Sequence, residues 1–110
     1  MTVIYITKEG KWTLTEFTDF IKEASIPERF IKYYQTFHGN ILFMCDRIDE
    51  PINPLLCEML GGLRRGSAVI FGSVVIDRDT ALTTVNDKLV RLFKSKYKQH
   101  FISPWEVIPN

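Results

Sequence analysis

Hydrophobic positions along the chain change period several times. Val3 to Thr7 (VIYIT) is a β-branched and aromatic run closed by the polar KEGK, which predicts a first strand and a turn. TLTE at Thr13–Glu16 matches a capping box. With Leu14, Phe17, Phe20, Ile21 and Ala24 at helical spacing, it predicts a first helix. Ser25-Ile26-Pro27-Glu28 repeats the device, and Ile26, Phe30, Tyr33 and Phe37 would share a face of a second helix ending at Gly39. NILFMCD, from Asn40 to Asp46, reads as a strand buried on both faces.

Asn53-Pro54 then opens a short helix, LLCEML, closed by Gly61-Gly62. Ser67 to Ile76 is a second long apolar run interrupted by Gly72, which predicts either a bulge or a hairpin splitting AVIF from SVVI. A long helix follows from Ala81 or Thr84 to Gln99, with Leu82, Val85, Leu89, Leu92 and Phe93 as its apolar stripe. The tail FISPWEVIP reads as an edge strand, because Pro104 and Pro109 exclude a central one.

The order is therefore β-α-α-β-α-β-α-(β). This predicts an α/β or α+β fold: a small mixed or mainly parallel sheet of three to five strands, with about four helices packed on it. The 110 residues suit a single domain, 1–110, large enough to fold without disulfides or a structural metal.

Net charge is only +1, so the whole molecule has no strong field to attract nucleic acid. The halves differ: residues 1–55 carry 6 basic and 8 acidic side chains, and residues 56–110 carry 8 and 5, which places any anion-binding surface in the second half. Cys45 and Cys57 read as small core residues in a reducing, cytoplasmic setting. No stretch has the length of a membrane span, no secretory leader is recognisable, and no cofactor motif stands out.

Three surfaces compete for a functional role. Trp12 in a turn, Tyr34 on the flank of the second predicted helix and Trp105 in the tail are aromatic side chains of the kind that anchor protein interfaces. Lys88, Arg91, Lys94 and Lys98 form one face of the last helix and, with Arg64 and Arg65, offer contacts to nucleic-acid phosphates. Asp46, Asp77 and Asp79 end two strands. If those strands were parallel neighbours, the carboxylates would converge as a Mg²⁺ site for phosphotransfer or nuclease chemistry.

VVIDRDTAL resembles the first motif of haloacid-dehalogenase-type phosphatases, with Ala81 in the place of its Thr or Val. Its strand-ending Asp-x-Asp is similar to that of the Toprim domain. Each likeness covers fewer than ten residues, and only 31 residues follow Asp79, so no residue roles are carried over. The histidines His38 and His100 each stand at a predicted helix end, away from either cysteine. The leading expectation is a small intracellular regulator, adaptor or inhibitor of microbial or viral type. It would act by binding a protein, with homodimerisation through an edge strand as a further option. Nucleic-acid binding and the Mg²⁺ enzyme are the alternatives.

Overall fold

The computed structural model describes residues 1–17, 32–35 and 39–103, the second of these stretches as backbone. Its centre is a six-stranded sheet: β1 (Thr2–Ile6), β2 (Trp12–Glu16), β3 (Lys32–Gln35), β4 (Asn40–Met44), β5 (Ala68–Ile76) and β6 (Asp79–Thr83). Five strands lie in the order β2-β1-β5-β4-β3, and β6 pairs with β5 alone. Every pairing between these strands is antiparallel. Two α-helices occur among the described residues, α1 (Pro54–Leu60) and α2 (Asp87–Lys96), followed by a 3-10 turn at Lys98–His100.

The mainly parallel sheet with about four helices is thus overturned, and the error has a local cause. TLTE satisfies a capping box, but its alternation Trp12, Leu14 against Thr13, Thr15 also satisfies a strand. The partner is adjacent: Ile6↔Trp12 to Thr2↔Glu16 zip around the turn at Thr7–Lys11. Lys32–Gln35, expected inside the second helix, pairs with Ile41–Met44 instead. The rest of both predicted helices lies outside the described residues, as does the tail beyond Ser103. The apolar stripe expected to begin the last helix at Leu82 belongs partly to β6, so α2 starts only after Asn86 caps it.

The run from Ala68 to Ile76 is neither bulged nor split. It is one nine-residue strand that changes partners at Gly72. Residues up to Gly72 pair with β4 on one side and β1 on the other, whereas residues from Gly72 onward pair with β6. A Cβ at Gly72 would collide with the Thr84 carbonyl, which crosses there as the chain leaves β6 for α2. Only glycine permits that close approach.

Alternation along β1 and β5 divides the core. Ile4, Ile6, Ala68 and Ile70 face Leu55 and Leu56 of α1 and Leu89 and Phe93 of α2. Val3, Tyr5, Val69 and Phe71 point to the other face, where Phe17 and Phe43 meet Phe71 edge to face at centroid distances of 5.0 and 5.6 Å.

Asn53 fastens the end of the sheet opposite Gly72. Fully buried, its Oδ1 accepts from the N–H groups of Leu55 and Leu56 at 3.1 and 3.2 Å, capping α1. Its Nδ2 donates to the carbonyls of Thr7 and Gly66, both at 2.8 Å. One amide thereby joins the β1–β2 turn, the helix start and the entry to β5. The opening of a helix at Asn53-Pro54 was legible in sequence; these two further bonds were not. Asn53→Ala removes the cap, takes the side-chain donor from the Gly66 carbonyl and leaves the Thr7 carbonyl with the Gly10 N–H alone. It should lower the unfolding free energy by about 3 kcal/mol, read by chemical denaturation with unchanged slope.

Candidate functional site

The aspartate constellation is dispersed. Because β4 runs antiparallel to β5, Asp46 lies beyond the Met44↔Ala68 pair, and Asp77 ends β5 at its far end. From Ala68 to Asp77 is nine residue steps (77 − 68) at about 3.3 Å each, which separates the two levels by about 30 Å or more. Asp46 instead accepts from the Arg65 N–H at 3.2 Å, and its own N–H donates to the Arg65 carbonyl at 3.0 Å. No group of three or more metal-ligating side chains forms among the described residues. The Mg²⁺ site at Asp46, Asp77 and Asp79 is therefore corrected: it required parallel strands, and these are antiparallel.

Glu16 has a perturbed titration but not a catalytic setting. Its exposed carboxylate is held below the usual carboxylate range by the N-terminal ammonium first, at 2.7 Å, and then by the Thr2 hydroxyl, at 2.8 Å. This is a surface ion pair closing the β1–β2 edge. Cys45 is buried and Cys57 half-buried; the Arg64 N–H donates to the Cys57 Sγ at 3.3 Å.

Trp12 is a core residue, not an exposed anchor. It is 1 % exposed, its indole N–H donates to the Tyr97 carbonyl at 2.7 Å, and its ring meets Phe93 and Phe101 edge to face at 5.3 and 4.8 Å. The indole seals the seam between β2 and the end of α2, because a tryptophan at a strand start can bury its ring only if its N–H finds an acceptor. Tyr34 lies on β3 with its backbone opposite Leu42, its side chain outside the described residues; Trp105 is outside them altogether.

The basic face is real but smaller than its six candidates. Lys88, Arg91, Lys94 and Lys98 are exposed along one side of α2 and the 3-10 turn, opposite buried Leu89 and Phe93. None of the four forms an ion pair with a described residue. Arg64 and Arg65 stand apart on the connector into β5. The Arg64 Nε donates to the Gly61 carbonyl at 3.0 Å and the Arg65 guanidinium to the Glu50 carbonyl at 3.1 Å. They brace a loop.

The surface that sequence reasoning missed is the β5–β6 ribbon. Past Gly72 the two strands leave the sheet as a hairpin with exposed apolar side chains on both faces: Val74 42 %, Val75 72 %, Ile76 57 % and Leu82 38 % exposed. Val74, Ile76 and Ala81 continue the helix-covered face of the sheet, and Val75 and Leu82 continue the other. Ser73 Oγ donates to the Gly39 carbonyl at the base. Other exposed aliphatics, Ile48, Ile52 and Leu63, stand on loops at the opposite end.

Reading Gly72 as a bulge or as the turn of a hairpin between AVIF and SVVI concealed this, because an apolar run gives no sign of where its cover ends. The available signal was the polar, β-branched DTALT after Asp77-Arg78, a strand pattern two residues from the first.

The turn itself is of the two-residue primed type. Asp77 and Arg78 both have positive φ, 49° and 71°. Aspartate tolerates that region; arginine holds it at a cost of about 1 kcal/mol. Arg78→Gly should relieve the cost, stabilising the ribbon by about 0.5 to 1 kcal/mol. Hydrogen exchange at the Asp79 and Ala81 amides, which face β5, should slow accordingly, and unchanged or faster exchange would contradict the turn assignment. No known protein family, curated protein or solved structure matches the chain.

Proposed function

We propose that this chain is a non-catalytic protein-binding module, an adaptor or inhibitor, that engages its partner through the β5–β6 ribbon. The observation that carries the reading is the ribbon's exposure: Val74, Val75, Ile76 and Leu82 are exposed, while the β1 and β5 positions before Gly72, from Val3 to Ile6 and from Ala68 to Phe71, are buried. An isolated two-stranded ribbon is marginal in water, and a contiguous apolar surface of this kind is the usual mark of an interaction site. A strand edge also supplies main-chain donors and acceptors to an extended segment of another chain. The anchors are thereby reassigned from Trp12 to the ribbon. Among the described residues no helix is long and apolar enough to cross a membrane.

Val75→Asp combined with Leu82→Asp alters exposed positions on one face of the ribbon and leaves the core intact. In parallel captures from native lysate, a partner held by the wild-type chain should be retained at least about tenfold less by this variant, the scale expected for losing central apolar contacts. Equal retention would remove the ribbon from the interface.

A second reading rests on the cations of α2 and the 3-10 turn after it, which form no ion pair with a described residue, as nucleic-acid binding through Lys88, Arg91, Lys94 and Lys98. The segment from Asp87 to His100 carries five Lys or Arg against one Asp. This reading predicts retardation of DNA or RNA at low ionic strength, with affinity falling as salt rises by a log–log slope of roughly 0.7 to 0.9 per phosphate contact. Arg91→Ala with Lys94→Ala should reduce that slope by about 2. Absence of retardation at low salt rules the reading out.

A further inference from the structure

We propose that the occupant of the ribbon is a second copy of this chain, joined by antiparallel pairing of two β6 edges about a two-fold axis at Ala81; this rests on reading the ribbon as the docking surface. β6 pairs only with β5 among the described residues, so its outer edge has no partner there. Three of the devices that protect such edges are missing from it. Asp79–Thr83 contains no lysine, proline or bulge.

The hydrogen-bond phase of that edge selects a register. A two-residue turn closes on a hydrogen-bonded pair, here Ile76↔Asp79, so bonded pairs recur at Val74↔Ala81 and Gly72↔Thr83. Thr80 and Leu82 consequently direct their N–H and C=O groups outward. In a two-fold pairing centred on Ala81, Thr80 of each copy meets Leu82 of the other as a hydrogen-bonded pair, giving four bonds in all. Ala81 meets its own copy as a non-hydrogen-bonded pair, the phase the ladder requires. Of the symmetric registers, this one engages all five residues of both strands.

Side chains fit the same axis. Closest approach in a sheet falls at a non-hydrogen-bonded pair, and the residue there is alanine. On that face Val74, Ala81 and their counterparts form one apolar row across four strands; on the other, Leu82 lies against Thr80 of the other copy, with Val75 in the same row. No like charges are opposed, since Asp79 falls opposite Thr83.

Beyond the strands, each Asp77-Arg78 turn reaches the level of Thr84-Val85 in the other copy, just before Asn86 caps α2. The interface is self-complementary, as a two-fold contact must be.

Sedimentation of the full chain across a concentration series should show its mass rising from one chain to two. Ala81→Cys should form a disulfide-linked dimer under mild oxidation while the wild-type chain does not, because a non-hydrogen-bonded pair holds its Cα atoms about 4.5 Å apart, within disulfide range. Thr80→Pro removes only an outward N–H. It should keep the monomer's thermal midpoint and remain a monomer at every concentration. A wild-type chain that stays monomeric, or a dimer indifferent to Thr80→Pro that fails to cross-link through position 81, overturns the two-fold pairing. If Val75→Asp with Leu82→Asp still releases a captured protein in that case, the ribbon binds a foreign chain and only the second copy is excluded. If that variant also retains everything, both readings fall together.

Discussion

Gly72 is the constraint on which the molecule turns. On one side of it β5 is a central strand with neighbours at both edges and cover on both faces. On the other it is half of a ribbon in solvent. The change requires the chain to leave β6, pass its Thr84 carbonyl over the strand, and descend as α2, and a side chain at position 72 would block that path. The same crossing places Val85 N–H on the Thr2 carbonyl and Asn86 N–H on the buried Asn40 side chain, each at 2.9 Å. The start of α2 is therefore tied to β1 and β4 at once, and the ribbon is left without a covering element from α2.

At the opposite end, order depends on Asn53 rather than on sterics. A side-chain amide has two donors and two acceptor positions, and here all are used on backbone groups. Trp12 performs a related task laterally, its N–H fixed on Tyr97 while the Trp12 carbonyl accepts from Ile102. These polar bonds inside an apolar setting specify which segments meet; the apolar contacts alone would tolerate several arrangements.

The elements legible in sequence were those with a single consistent signal. The first strand, Asn40–Met44, the Asn53-Pro54 helix start and the amphipathic last helix carry one period and one kind of boundary. Thr13–Glu16 and Lys32–Gln35 carry two. Their residues fit helical spacing and strand alternation alike, and a strand is chosen only when its partner is counted. From those two misreadings the parallel sheet followed, and from the parallel sheet the convergence of Asp46 with Asp77. The basic face of α2 was visible because helical periodicity alone defines it. The ribbon was invisible because exposure depends on what the neighbouring chain leaves uncovered.

The antiparallel order also bears on how the chain reaches its structure. β5 and β6 are joined by two residues and can close as a hairpin in roughly 1 to 10 μs. Pairing of β5 with β1 brings together Ile4 and Ile70, 66 positions apart, and must wait on the loss of far more chain entropy. The ribbon, like the β1–β2 hairpin, is thus among the pairings open to this sequence before the long-range ones close, and its apolar side chains remain exposed in the finished fold. A nascent chain therefore exposes the same β6 edge and the same apolar side chains as the finished one, the kind of surface that is open to contact with other chains while the core is still assembling.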